Sequence, residues 1–442
     1  MQNCQNLLET DTRSEPYRVA SSTTQHLQGK RVAMVVYSYY KFDPRPRRAA
    51  EALVGAGMNV ELICLRKNRK EQKQEMLNGV HIRRIPLAHR RDSRLGYVFR
   101  YLAFLLMSSA SIAARSLIRR YDLVYVHNMP DFLVLCGVIP KIFGAKVILD
   151  MHDPMPELIM TIFGIPQEAK GVRFLKLIEK WSIRCADCVI TVNRACAELF
   201  ASRSCPSPKM HVIMNSPDEV IFQSDLQYTP ANVPRTTKPF VIMYHGSLVE
   251  RNGLGLAVEA VAKLRASIPG AELRIYGSHN PFLSRVMNFV RDCGLESSVR
   301  YMGPKSLEEI VQAIKECDVG IVPNLRSIFT ELNTPTRIFE YLSIGKPVIA
   351  PRATGICDYF DDHSLIFFEL GDAEDLALKI EYVFQHPNEV AEIVRRGQKV
   401  HQAHTWREER IRFTGLVSDL LHNCPTLFSA NHQAAARRFR HD

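Results

Sequence analysis

From residue 31 onward, short runs of β-branched and aliphatic residues alternate with stretches whose apolar positions recur every three to four residues. The runs "RVAMVVYS", "NVELICLR", "VHIRRIPL", "DLVYVHN", "AKVILDMHD", "CVITVN" and "MHVIMNS" have the length and composition of buried strands. Between them, "RPRRAAEALVGAG" and "FLKLIEKWSIRC" carry apolar residues at helical spacing. The grammar restarts at Phe240 with strands "FVIMYHGS", "AELRIYGS", "SVRYMG", "DVGIVPN", "KPVIAP" and "SLIFFEL". The intervening helices are "GLAVEAVAKLRASI", "FLSRVMNFVRDC", "SLEEIVQAIKEC" and "TPTRIFEYLS", and a long helical region follows Asp372. Such alternation predicts α/β architecture with parallel sheets covered on both faces, and its repetition predicts two doubly wound domains facing a central cleft.

Residues 218–239, "DEVIFQSDLQYTPANVPRTTKP", lose all periodicity and gain prolines and threonines, which predicts a linker. The expected organisation is an extension over 1–29, a Rossmann-like domain over 30–217, the linker at 218–239 and a second Rossmann-like domain over 240–405. A helix over 406–424 is expected to return to the first domain, and 425–442 reads as a basic, solvated tail. The opening residues are polar and have no basic start followed by an apolar core, so they do not read as a signal peptide.

One apolar segment stands apart. "YLAFLLMSSASIAA", Tyr101 to Ala114, is shorter than the ~18 to 20 residues of a membrane span, and arginines flank it on both sides. It reads as a buried core helix or as a helix lying on an anionic leaflet.

Composition adds little to the fold and something to the partners. With 46% hydrophobic and 23% charged residues in 442, the chain is an ordinary globular sequence long enough for more than one core. Its net charge of +11 favours anionic partners. The aromatics form no stacking-platform pattern and the arginines gather beside an apolar helix, so nucleic acid is not expected. Eleven cysteines are scattered through apolar stretches, which predicts buried free thiols and a reducing, cytoplasmic compartment. Cys185 and Cys188 form a lone CxxC without the second pair of a tetrahedral zinc site.

In doubly wound sheets ligands sit at the carboxyl ends of strands, so the chemistry is sought there. The first turn, "YSYYKFDPRPRR", contains no glycine, and "NGLGLAV" has Val258 at the third glycine position, which argues against a dinucleotide cofactor. No GxxxxGK[ST] and no GxSxG occur, and no Asp-x-Asp is present to hold a metal on a diphosphate. A bound diphosphate would therefore be neutralised by side-chain cations and helix amides. "HGSLVERNG" places Gly246 at a strand end and Arg251 in the loop before a helix, and Gly277 ends the next strand in "AELRIYGS". In "NTPTRIFEYLSIGKPVIA", Thr334 reads as an N-cap with Pro335 at the first helical position, leaving the amides of Thr336 and Arg337 open to an anion. Glu340, one turn on, is placed to accept hydrogen bonds from a ribose diol. Alternatively Arg337 and Glu340 are an exposed i,i+3 pair and Gly345 is a helix end and nothing more. His127, Asn128 and Asp131 in "HNMPDF" lie at another strand end and are candidates for acceptor hydroxyls, with an edge histidine as the plainer reading of His127.

On "HGSLVERNGLGLAVEAV", "TPTRIFEYLSIGKPVIA" and "HTWREER", and on "FDPRPRRAAEAL", "YVHNMPDFLV", "ILDMHDPMPEL" and "VIMNSPDEVIF" before them, the chain resembles glycosyltransferase family four, nucleotide-sugar enzymes of GT-B type. The resemblance spans roughly residues 30–420. It implies a donor-binding second domain and an acceptor-binding first one. Arg251 then stands at the family's diphosphate-binding base and Glu340 at its ribose-binding glutamate. His152 and Asp153 match a position facing the sugar. It further implies metal-independent transfer, generally with retention. Gly246, Ser247, Gly277, Thr336 and Arg337 complete the donor set. The chain departs from the family in having Ser247 where a basic residue often follows the glycine and Asn252 where a lysine is usual. It also has Leu332 at the position of the first of two paired glutamates, with Glu331 displaced by one. Arg337 is then a second phosphate cation.

The expected activity is transfer of a sugar from a nucleoside diphosphate sugar to a glycan or lipid-linked hydroxyl, in polysaccharide or glycolipid biosynthesis. No cofactor or metal is expected, and peripheral association with an anionic membrane, at the inner face of the cytoplasmic membrane, is. The rivals are a nucleotide-sugar 2-epimerase and a non-catalytic nucleotide-sugar-binding protein.

Overall fold

A computed structural model of the chain describes residues 22–87, 94–222 and 239–422. Most of the expected extension, the centre of the linker and the basic tail fall outside these residues.

The first sheet has eight strands: β1 (Arg31–Val35), β2 (Asn59–Leu65), β3 (Gln74–Leu77), β4 (Val80–Ile85), β5 (Leu123–His127), β6 (Lys146–Met151), β7 (Cys188–Thr191) and β8 (Met210–Val212). Their order is β3-β4-β2-β1-β5-β6-β7-β8, and β3 pairs antiparallel with β4. The helices that follow these strands are α1 (Pro44–Gly55), α2 (Arg94–Ile118), α3 (Val138–Ile142), α4 (Met155–Phe163), α5 (Lys170–Cys185) and α6 (Arg194–Arg203). β5 is buried at every position, as a central strand of a doubly covered sheet must be. His127 therefore ends a central strand, not an edge.

The second sheet is built from β9 (Phe240–His245), β10 (Ala271–Tyr276), β11 (Val299–Gly303), β12 (Val319–Ile321), β13 (Val348–Pro351) and β14 (Ile366–Phe368), in the order β11-β10-β9-β12-β13-β14. All its pairings are parallel. Alternation along β9 shows why the strand reads as one apolar run. Phe240, Ile242 and Tyr244 join one core with α7 (Leu254–Lys263) and α8 (Pro281–Asp292). Val241 and Met243 join another on the opposite face, with α9 (Leu307–Glu316) and, after the short α10 (Ile328–Leu332), α11 (Thr336–Ser343). The chain continues through α12 (Thr354–Cys357), α13 (Ala373–Gln385), α14 (Pro387–Gln402) and α15 (Trp406–His422).

By compactness the chain forms two units. The first takes the described residues up to Asp150, with Cys185–Cys188 and those from Arg410 on; the second is Met151–Arg184 with the described residues of Val189–Glu409. The division interleaves along the chain, and the described residues from Arg410 on fall with the first unit.

Three local expectations differ from the structure. β3 was not expected, because "QEML" is exposed or half-exposed along its length and has no apolar signature. The helix after Gly253 stops at Lys263 and not near Ile268, with Leu264 as its C-cap. α2 runs for 25 residues, well beyond the 14-residue apolar stretch, because its arginines continue the helix; Val98–Ile118 is long and apolar enough to cross a membrane by length and composition. One face of the helix is core, with Phe104 and Ile112 fully buried, and the other, with Val98, Leu102 and Leu106, is exposed. The cysteines among the described residues are free thiols.

Candidate functional site

The end of β9 is where the second unit concentrates its polar chemistry. Gly246 has φ 122°, a conformation that only glycine adopts without strain, and its N–H donates to Tyr276 O at 3.0 Å. Gly277 ends β10 against it: a Cβ there would stand 2.5 Å from Gly246 O. Ser247 is exposed, and its carbonyl accepts from Tyr244 Oη and Asn252 Nδ2, each at 2.9 Å, which ties the loop down. Arg251 lies half-exposed in that loop, its guanidinium 5.7 Å from the centre of the Phe329 ring.

α11 approaches the same strand end. Its N-cap is Pro335 and no side chain caps it, which corrects the N-cap expected at Thr334. The Thr334 hydroxyl is engaged elsewhere, donating to Gly355 O at 2.6 Å and accepting from Asn193 Nδ2 at 2.9 Å. Thr336 likewise bonds Asn215, through Asn215 Nδ2 at 3.2 Å and Asn215 O at 3.1 Å. A helix start without a side-chain cap keeps first-turn donors and partial positive charge available.

Arg337 reaches back from α11 to β9. One terminal nitrogen donates to His245 O at 2.9 Å, and the guanidinium lies 4.9 Å from the Tyr244 ring centre. A side chain at Gly246 would press on it, since a Cβ there would be 3.4 Å from Arg337 Cδ. Glu340 turns to the same histidine, with Oε2 at 2.6 Å from His245 Nε2. Arg337 and Glu340 are therefore not an i,i+3 pair; one holds the carbonyl of His245 and the other its ring. Nor is the Glu340 carboxylate wholly open to a diol, since Oε2 is taken. Behind the ring, His245 Nδ1 lies 2.8 Å from Tyr341 Oη, which donates to Met243 O at 2.9 Å. Tyr341 has one proton and Met243 O accepts it, so Nδ1 donates to the phenol. Burial holds the Tyr341 phenol well above its ordinary value, so it keeps that proton.

The sequence motif alone assigns His245 no role. The signal was available: a histidine closes an otherwise apolar strand immediately before the glycine. Leu332, at the expected glutamate position, contributes its carbonyl, which accepts from Asn193 Nδ2 at 2.7 Å. The neighbouring Glu331 faces Thr354, at 3.5 Å. Gly345 has φ 74° just past the C-cap of α11, as a helix end requires.

The remaining predicted residues lie at the ends of β5 and β6. His127, Asn128 and Asp131 are buried, and Asn128 Nδ2 donates to Asp131 Oδ1 at 3.2 Å. Beside them Asp150, fully buried, accepts from Arg45 Nε at 3.0 and 3.2 Å, from an Arg45 terminal nitrogen at 2.8 Å and from Tyr125 Oη at 2.6 Å. His127 Nδ1 stands 3.5 Å from the same carboxylate. The Asp150 carboxylate is thus already paired with the Arg45 guanidinium. His152 and Asp153 follow β6 and are half-exposed, in the second unit.

Two doubly wound sheets, with a glycine-opened strand end and an arginine-bearing helix start in the second, are the architecture of a GT-B-type glycosyltransferase. Residues 43–216 match the model of the glycosyl transferase 4-like domain, and residues 229–400 match that of the glycosyl transferases group 1. The chain belongs to glycosyltransferase family four. Among relatives, it is 24% identical to the amylovoran biosynthesis glycosyltransferase AmsK of Erwinia amylovora over 47% of this chain. That match spans about half of the relative's length, 49%. It is also 24% identical to the putative colanic acid biosynthesis glycosyltransferase WcaL of Escherichia coli, over 60% of this chain and 68% of that protein. Among solved structures, sucrose-phosphate synthase from Thermosynechococcus elongatus superposes with a TM-score of 0.72 at 17% identity, over 89% of this chain and all of that one. Anabaena HepE in complex with UDP does so at 0.64 and 15%, also over 89% of this chain and all of that one. At such identities the structural likeness is one of fold.

Proposed function

We propose that the protein transfers a sugar from a nucleoside diphosphate sugar to a hydroxyl of a glycan or lipid-linked acceptor in polysaccharide biosynthesis, at the inner face of the cytoplasmic membrane. The observation that carries the donor reading is the state of Arg337. Among the described residues its partners are a carbonyl oxygen and an aromatic face, so its full charge stays uncompensated beside an uncapped helix start and a glycine-opened loop. That combination suits a diphosphate. Arg251 supplies the second cation, and the Glu340 oxygen not taken by His245 receives a ribose hydroxyl. Anabaena HepE, solved with UDP-glucose, supports a nucleotide-sugar donor, and AmsK and WcaL support a polysaccharide pathway.

As the anomeric bond breaks, charge develops on the leaving diphosphate, and groups already oriented toward it lower the barrier without reorganising. No divalent ion is required for this, and transfer proceeds with retention. His152 and Asp153 face the sugar, and His127, Asn128 and Asp131 shape the acceptor side.

Thermal-shift titration with UDP-, GDP- and ADP-sugars tests the reading, because a ligand at about 100 times its Kd stabilises the native state by about 2.7 kcal/mol. One nucleotide raises Tm in the parent and not in Arg337→Ala, with or without EDTA. A shift that survives Arg337→Ala, or that needs a divalent ion, refutes it.

A further inference from the structure

α2 presents to solvent what a core helix hides. Val98, Leu102, Leu106, Ala110, Ala114 and Ile118 recur at every fourth position and all are exposed, Leu106 at 68% and Ile118 at 87%. Phe99, at 72%, widens the stripe. The opposite face is committed to the first unit: Phe104 and Ile112 are fully buried, and Tyr37 packs on Phe104 with ring centres 5.1 Å apart. Arg115, further along, pairs with Glu61. To cross a bilayer the helix would have to abandon this packing. Residues 94–120 contain five arginines and no acidic residue, with Arg119 and Arg120 exposed at the end of the stripe.

A second face in the other unit repeats the composition. On α5, Phe174, Leu177 and Trp181 are exposed at helical spacing, the first two at 62% and 64%. Lys170, Arg173, Lys180 and Arg184 are exposed around them. The one acidic residue of this helix, Glu179, is buried against Arg203 and Ser204, so the exposed face is apolar and cationic.

We infer that each of these helix faces binds anionic lipid, its apolar stripe at the level of the upper acyl chains and its arginines and lysines among the headgroups. A tryptophan at the rim of such a stripe has the amphipathic ring favoured at membrane interfaces. Charge selects the lipid over a second copy of the chain: a two-fold dimer through α2 would set arginine-rich, acid-free surfaces against each other. Basic amphipathic helices bind through buried apolar area plus attraction to anionic headgroups. The inference does not depend on the donor site, because it is read by binding and not by turnover.

The test is co-sedimentation of the full chain with vesicles of phosphatidylcholine alone or with about 30% phosphatidylglycerol, at low and at about 0.5 M salt. The expected result is binding to the anionic vesicles, weakened by salt, lowered by Phe99→Glu/Leu106→Glu and by Phe174→Glu/Leu177→Glu, and reduced at least about tenfold when the two pairs are combined. These positions are exposed, so the variants fold, as circular-dichroism melts and an unchanged nucleotide thermal shift check. Equal binding to neutral vesicles, or variants that bind like the parent, overturns the inference. So does a parent that sediments as a dimer without lipid and becomes monomeric in either variant.

Discussion

Two strands of this protein end in a buried histidine, and the charge beside each is handled in opposite ways. At His127, the end of β5, the local cation is Arg45, and it is spent on Asp150, with both side chains removed from solvent. At His245, the end of β9, the local cation is Arg337, whose partners are neutral and which remains half-exposed. The first arrangement neutralises its cation inside the fold; the second sets its cation, among the described residues, against neutral groups alone. Having an arginine at a strand end therefore says little until the arginine's partner is known.

The largest effect expected from this contrast is on stability. Asp150→Ala leaves the Arg45 guanidinium buried without its carboxylate and costs about 3–5 kcal/mol in urea unfolding. Arg45→Met/Asp150→Leu removes both charges and regains most of it. Arg337→Ala costs about 1 kcal/mol or less, because a half-exposed group loses only a hydrogen bond to a carbonyl and a contact with an aromatic ring. Equal losses in Asp150→Ala and Arg337→Ala would dissolve the distinction between the two strand ends.

Activity reverses the order. Under the donor reading Arg337→Ala lowers kcat/KM about 10²- to 10³-fold, the size expected for removing one preoriented charge from a developing anion. Arg337→Lys recovers part of this, since it keeps the charge and loses the planar fork. Assays with saturating acceptor separate the loss from any effect on the first unit. Activity within about twofold of the parent in Arg337→Ala would mean that the exposed charge is not used.

Much of this was legible in the chain. Apolar runs longer than the alternation of a one-sided sheet marked both parallel sheets, because both faces of β5 and β9 are covered. β3 was invisible because its side chains bury nothing, and α2 was underestimated because arginines interrupt an apolar run without interrupting a helix. Gly246, Gly277, Arg337 and Glu340 were expected at strand ends and on the helix that follows them, and the structure has them there. Thr334 was misread because its hydroxyl is claimed by Asn193 and Gly355, partners 141 and 21 residues away. The two functions proposed for Arg337 and Glu340 were likewise separated by a third residue, His245, whose contacts no local spacing records.

A third histidine sharpens the comparison through pH. His401, on α14, is buried behind the helix that carries Arg337, with its ring centre 6.0 Å from that of Phe339 and no hydrogen-bond partner for Nδ1. Burial pushes its imidazole down from 6.5 to about 4; Glu219 opposes the shift and His404 adds to it. The folded protein thus refuses a proton that the unfolded chain accepts. Above about pH 6.5 both states are neutral at this site and it adds no pH dependence. Between about 6.5 and 4 the unfolded state is progressively favoured, and below 4 both are protonated and the loss is complete. At about 1.36 kcal/mol per pH unit the window accounts for up to about 3 kcal/mol. His401→Gln carries no titrating group, so the stability difference between parent and variant should shift in the variant's favour on acidification through this window and stay constant above it. Chemical unfolding at pH 7, 6, 5 and 4 reads that difference directly. A difference that does not change with pH would show that His401 takes up a proton as easily in the folded protein as in the open chain, and that the packing behind α11 is not closed to charge.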